Sequence, residues 1–375
     1  MGPRETATRL PFVSLGRVRI GLCTYWFNRG QAVVGRHLRS ALDELGHETF
    51  VLARPTRASN IRPSHIDRGG IWDQPNITEA SAYDMPASEY VGWATDNKLD
   101  VAFFFNNYQL DEIAQVRAAG VKTAGAFMWE AFHPEHAEPA KAALDVIYCF
   151  SHADRERYAS MGIDSPRVAW GCHPEMARVV PNRATDQIRL FYPGGFMTDR
   201  KPLKPVLKAF SKAPDERLRL VMKAQVERKT GRVERMAEKD SRIEVIYEDL
   251  PTDEHLQLFA DCHACLAPSR WEGLGLHLYE ATAFGMPIIS NDNPPMNEVV
   301  VDGLNGILVP GLEDGFAKSG VPAFAPDPDA LVAAIERISD DAERGRLAEG
   351  AIEVRGRRSW EQTVRDVGAV LDTLS

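Results

Sequence analysis

The segment from Leu266 to Ile289 constrains the fold more than any other part of the chain. Leu266-Ala267 continues an apolar strand, Ser269 to Gly275 is a glycine-bearing loop, and a helix packed by Leu274, Leu276, Leu278, Ala281 and Ala283 follows. Gly285-Met286-Pro287 stops that helix, and Ile288-Ile289 opens a second strand. Strand, loop, helix and strand in this order predict a parallel pair with a crossover helix. Gly273 and Gly275 let a ligand approach the backbone. A helix starting there offers unpaired N–H groups and the positive end of its dipole, an environment suited to a diphosphate. Glu272 leads into the loop and Glu280 lies inside the helix, eight residues on and a little over two turns later. Carboxylates repel phosphate but accept hydrogen bonds from sugar or ribose hydroxyls. The plain alternative is a surface helix with two solvated glutamates.

Earlier segments repeat the same grammar. Val18 to Leu22 reads as a strand, Tyr25 to Gln31 as a loop, Val34 to Leu45 as a helix ended by Gly46, and Thr49 to Leu52 as a second strand. Residues 55–85 lack periodicity and predict long loops with short elements. Strands resume at Val101 to Phe105, Thr123 to Phe127 and Val146 to Phe150, with a helix start at Ser151 to Asp154. Pro174 to Arg183 is linker-like. Strands then recur at Ile188 to Tyr192, Leu218 to Met222 and Arg242 to Tyr247, with helices from Pro205 and near His255 to Ala260. Asp327-Pro328-Asp329 caps a helix through Ile338, which accounts for this D-x-D triplet without a metal. The chain of 375 residues is long enough for two such domains.

Composition excludes several classes. A net charge of −9 argues against general nucleic-acid binding. No run of 18 or more apolar residues is present, and Met1 to Gly16 lacks the contiguous apolar stretch of a signal peptide. Five scattered cysteines suggest a reducing cytoplasm. Cys262 and Cys265 have no second ligand pair, so buried thiols are expected rather than a metal site. The loop lacks the third glycine of a nicotinamide fingerprint, Leu278 standing in its place.

The segment around Glu272 and Glu280 resembles the E-x7-E motif of retaining glycosyltransferases of family four. Ala267-Pro268-Ser269 and the stretch Asn297 to Pro310 resemble that family too. The likeness covers most of the chain and is strongest over residues 240–310. It implies an α/β, GT-B fold of two Rossmann-like domains with parallel sheets facing across a cleft. The organisation implied is a tail at 1–16, an acceptor-binding domain at 17–180, a nucleotide-sugar domain at 181–357, and a C-terminal helix at 358–375 crossing back to the first domain.

The resemblance further implies retaining, metal-independent transfer from a nucleoside-diphosphate sugar to a hydroxyl, with no cofactor and with the leaving diphosphate assisting acceptor deprotonation. Donor contacts are expected from Gly273, Leu274, Gly275, Leu276 and both glutamates. Gly194 to Pro202 resembles the family's phosphate-binding segment. Lys201 matches its lysine, Gly195 stands where arginine is usual, and Pro202 replaces a glycine. Arg200 or Lys223 is then a candidate for the second cation. Gly30 matches a glycine-bearing loop that approaches the donor. The family's first-domain histidine is absent, its place falling nearest Met128 or Trp129. Glu130 and His133 are therefore candidates beside Glu272 and Lys201 for the catalytic set, while His173 is expected to be structural. A carbohydrate, a lipid-linked glycan or a small natural product is open as acceptor. Peripheral membrane contact and the oligomeric state are also open, as is a noncatalytic sugar-nucleotide-binding protein.

Overall fold

The structure is a computed structural model that describes residues 16–57, 65–225 and 231–374. The expected tail lies outside the described residues, apart from Gly16. Among the described residues, six strands form one sheet: β1 (Arg19–Tyr25), β2 (Glu48–Arg54), β3 (Ile77–Glu79), β4 (Val101–Phe105), β5 (Lys122–Ala126) and β6 (Val146–Ile147). Their order is β3-β2-β1-β4-β5-β6, and every pairing is parallel. A second sheet holds β7 (Ile188–Gly195), β8 (Leu218–Ala224), β9 (Ile243–Ile246), β10 (Ala264–Ala267), β11 (Ile288–Asp292), β12 (Gly306–Phe316) and β13 (Pro322–Pro326). Its order is β13-β12-β11-β10-β7-β8-β9, parallel except for the β12–β13 pair. Helices cover both faces of these sheets, so a central strand such as β4 is buried along its whole length and reads as a continuous apolar run.

The alternating pattern placed most strands within a few residues. One exception is 146–150, where the ladder stops at Ile147 and Cys149 makes an isolated bridge to Arg167. Among its described residues, the aperiodic region holds a 3-10 turn at Gly70–Trp72 and the three-residue edge strand β3. The Ser151 expectation holds. Its hydroxyl accepts from Asp154 N at 3.0 Å, while the Asp154 carboxylate accepts from Ser151 N and, at 3.1 Å, from Trp129 N. Asp327 caps the helix Pro328–Ser339 as expected.

Two features join the halves. Pro174–Arg178 is a 3-10 turn rather than a free linker. Its Glu175 accepts from Arg36 and contacts His37, both on the helix Gly30–Glu44. The last helix, Trp360–Asp372, returns to the first sheet. Trp360 Nε1 donates to Glu44 Oε1 at 2.8 Å, and Val367, Val370 and Leu371 pack among Ile20, Leu38 and Leu42. Gly171 marks that crossing. A Cβ there would stand 2.4 Å from the Ser359 carbonyl oxygen, which is backbone. Gly171→Ala is therefore expected to cost about 1–3 kcal/mol of stability, read by denaturant unfolding. Among the described residues no helix is long and apolar enough to cross a membrane.

Candidate active site between the two sheets

The carboxyl ends of both sheets' central strands open on one cleft, where α/β folds bind ligands. A cavity of about 490 Å³ lies there. From the first half it is lined by Tyr25, Arg29, Gly30, Met128 and Glu130, and from the second by Gly194, Gly195, Arg200, Lys201 and Glu272 to His277. A smaller adjoining cavity of about 180 Å³ is lined by Lys223, His255 and Glu280. Arg29, Gly30, Gly195, Lys201, Leu276 and His277 border both. The two glutamates thus face adjacent compartments, one on each side of the same helix start.

That helix begins at Leu276, directly after the two glycines. Gly275 precedes it with φ +73°, a left-handed conformation that glycine adopts without strain. Gly273 is glycine because of close approach. A Cβ there would meet Met128 Sδ at 2.7 Å and Glu130 Oε1 at 3.4 Å. Trp129 secures the same contact, its Nε1 donating to the Glu272 carbonyl at 2.8 Å.

An ionic cluster fills the floor of the larger cavity. Lys201 Nζ lies 2.6 Å from Glu272 Oε1 and 2.9 Å from Ser269 Oγ. Arg200 reaches Glu130 at 2.7 Å and Glu272 at 3.4 Å. Burial opposes ionisation of Glu272, but Lys201, His277 and Arg200 outweigh it and hold the carboxyl far below its usual range. Burial wins at Glu130, whose pKa is raised despite Arg200, and its Oε2 has no partner among the described residues. His277 stands 3.9 Å from Glu272 Oε1; burial and then Lys201 push its pKa down to about 3, so the ring is neutral at neutral pH.

The smaller cavity has a different character. The Glu280 carboxylate makes no hydrogen bond or ion pair with the described residues, and burial, with Glu175 nearby, raises its pKa to about 7. Lys223 Nζ is spent on the carbonyls of Ala224 and Glu248, each at 2.6 Å. Arg29 is engaged across the cleft by Asp249 at 2.8 Å, and Asn28 Nδ2 reaches the Leu250 carbonyl at 3.4 Å.

Among the expected site residues, His133 does not line either cavity. It sits at the N-cap of the helix Pro134–Ala143, where its backbone N–H donates to His136 Nδ1 at 3.0 Å. Gly195, at the place of an expected arginine, has φ +52° at a bulge in the β7–β8 ladder, a conformation a side chain would strain. Arg200 is committed to Glu130 and Glu272 rather than free. Arg29 and His277 are site residues to which the sequence pattern gave no role. Both stand inside quoted segments, yet only the packing of the halves shows what they face. His173 stacks on His37 at 3.7 Å beside Glu175. The parallel rings cannot aim their in-plane lone pairs at one ion, and Arg36 already neutralises Glu175 at 2.6 Å, so a structural role fits. Cys262 and Cys265 are buried free thiols.

Residues 176–354 match the family model described as Glycosyl transferases group 1. An uncharacterized glycosyltransferase of Methanocaldococcus jannaschii is 28% identical over 123 residues, 33% of this chain and 31% of that protein. The matches span between 18% and 31% of the length of the curated relatives. Two solved structures share the fold across nearly the whole chain. The sucrose-phosphate synthase of Thermosynechococcus elongatus superposes with a TM-score of 0.74 at 17% identity, covering 96% of this chain and 99% of that one. Anabaena HepE in complex with UDP-glucose gives 0.68 at 12% identity, covering 96% and 100%. The chain thus has the GT-B fold, and its second half carries the Glycosyl transferases group 1 pattern.

Proposed function

We propose that this chain transfers a sugar from a nucleoside-diphosphate sugar to a hydroxyl acceptor, with retention of anomeric configuration and without a metal ion or cofactor. The observation that carries the reading is the convergence at one helix start. The left-handed Gly275 and the first residues of the helix after it, Lys201 and Arg29 border the junction of two cavities, and one cavity holds an unpartnered carboxylate. We assign the diphosphate to the junction, the ribose hydroxyls to Glu280, and the transferred sugar to Glu272. Residues 17–180 would serve the acceptor and residues 181–357 the donor.

The chemistry asks little of the protein beyond placement and charge. The bond from C1 of the sugar to the diphosphate oxygen breaks, and a bond from C1 to the acceptor oxygen forms on the same face. The acceptor proton passes to the departing diphosphate. Negative charge grows on that diphosphate, where fixed cations and backbone donors stabilise it. Lys201 is one such cation. Arg29 becomes the second once the diphosphate competes with Asp249 for its guanidinium. Glu130, with one unpartnered oxygen, is placed to orient the transferred sugar or the incoming hydroxyl. A cytoplasmic location belongs to the same reading, since nucleotide sugars would have to be at hand.

Glu280 supplies a test. Ribose hydroxyls donate to the ionised carboxylate, so nucleotide binding must remove any proton it holds. With a pKa of about 7 in the free protein, UDP affinity attributable to this group should fall about tenfold from pH 8 to pH 6. Glu280→Gln should bind UDP more weakly at pH 8 and lose this dependence. Comparing the two proteins at each pH by calorimetry removes the nucleotide's own ionisation. Folding has the opposite sense. A carboxyl raised from 4.5 to about 7 contributes its stability below 4.5 and loses it as pH rises through 7, so the Gln variant gains relative stability at pH 8. Equal pH profiles for the two proteins would contradict the assignment.

A further inference from the structure

The part of the large cavity built from the first sheet carries chemistry that the donor does not use. Tyr25 closes β1 and Arg54 closes β2, and the two are direct neighbours in the parallel register. Tyr25, Phe27, Tyr83 and Arg57 line the cavity here. Tyr25 lies 5.7 Å from Phe27 and 5.8 Å from Tyr83 between ring centroids, and the two tyrosine hydroxyls are 2.7 Å apart. The result is an aromatic wall with a polar seam.

Two arginines flank that wall. Arg54, 1% exposed, has its guanidinium carbon 4.5 Å from the Tyr83 ring centre and 5.3 Å from that of Tyr25. It donates twice to the Tyr83 carbonyl, and its Nη1 has no partner among the described residues. Arg57 lies 4.1 Å from the Tyr83 ring centre with half its side chain exposed. Asp84 is the acid that faces them, 4.0 Å from Arg54 and 3.5 Å from Arg57, and it is itself 61% exposed. Among the described residues, two guanidiniums against one solvated carboxylate leave this end positive. At the other end, Arg200 and Lys201 are matched by Glu130 and Glu272.

Resting on the transferase reading, we infer that this end is the acceptor subsite and that it takes a ring-bearing acceptor carrying an oxyanion, a phosphate or a carboxylate. The ring packs on Tyr25, Phe27 and Tyr83, and the oxyanion meets Arg57. Arg54 holds the tyrosines from beneath and adds charge. A planar guanidinium already stacked on an aromatic face presents its donors edge-on, the geometry that pairs with oxyanions. Among the described residues no acidic side chain lines the cavity at this end, so a cationic acceptor finds no partner from them.

The test uses the full chain saturated with UDP and titrated calorimetrically with three ligands that share one ring: glucose, glucose 6-phosphate and glucuronate. At least one charged ligand should bind about tenfold or more tightly than glucose. Arg57→Gln should erase that difference, Arg57→Lys should keep part of it, and added salt should shrink it. The order of the two charged ligands tells phosphate from carboxylate. Because Arg57 follows β2 of the first sheet, while Lys201 and Glu280 belong to the second half, UDP affinity should hold within about twofold in both variants. If the three ligands bind alike, or none binds, or the preference survives Arg57→Gln, the inference fails while the donor site stands. Absence of UDP binding by the wild-type chain would instead overturn the transferase reading, and this inference with it.

Discussion

Glu272→Gln is expected to lower turnover by about a hundred- to a thousandfold while leaving UDP affinity unchanged or slightly improved. The carboxylate is buried and stays ionised because Lys201 and Arg200 face it. Gln keeps the shape but removes the charge. Lys201 and Arg200 then have less negative charge to satisfy, so a bound diphosphate gains rather than loses. What disappears is the anionic acceptor that fixes the sugar hydroxyls as the glycosidic bond opens. An interaction used mainly in the transition state shows as lost kcat with little change in ground-state binding. The release of UDP gives the turnover, and calorimetry gives the affinity. A variant that loses UDP binding and turnover in equal measure would show that Glu272 only holds the nucleotide site together.

Lys201→Ala should have the second large effect, and a broader one. Its ammonium touches both Glu272 and Ser269. Removing one partner of a buried pair strands the other, at a cost of about 3–5 kcal/mol, partly relieved here by Arg200. The same substitution takes away the lysine at the cavity junction. We therefore expect a lower unfolding midpoint, weaker UDP binding and a kcat/KM reduced by about a hundred- to a thousandfold. A lower midpoint with kcat/KM near the wild-type value would mark Lys201 as a structural counter-ion for Glu272 and nothing more.

The second sheet was readable because its strands are short apolar runs closed by breakers, and its signature loop and helix are contiguous in sequence. Glu272, Gly273 and Gly275 sit within four residues, so local geometry alone places them together. The first domain's site is different in kind. Tyr25, Arg54, Arg57 and Tyr83 come from two strand ends and the loops beyond them, including a region with no periodicity to read. Their meeting depends on the β1–β2 register and on where Arg57 and Tyr83 come to stand beside it. The Arg29–Asp249 pair joins residues 220 positions apart and exists only because of how the two halves pack. His133 shows the converse error. Its nearness in sequence to Glu130 suggested a shared site, but the turn Trp129–Ala131 sends Glu130 into the cleft and leaves His133 to start the next helix.

The departures at Gly195 and Pro202 also have physical readings. A positive φ at Gly195 bends the end of β7, and Pro202 immediately precedes the helix Leu203–Lys212, where its missing N–H costs nothing. At Gly195 the arginine that the resemblance would supply would have to take a left-handed conformation that side chains adopt only with strain. In the proposed reading the second cation beside Lys201 then comes from the first domain, as Arg29, which would make donor binding depend on the cleft being closed.

The central claim is that a nucleoside diphosphate seats at the start of the helix Leu276–Ala283. A crystal structure of the chain with UDP tests it most directly. Diphosphate oxygens are expected within hydrogen-bond distance of Lys201 Nζ and of the first backbone amides of that helix, with both ribose hydroxyls on the Glu280 carboxylate. A diphosphate bound elsewhere, with the Glu280 carboxylate still unpartnered in its cavity and Lys201 still paired only to Glu272 and Ser269, would rule this seat out.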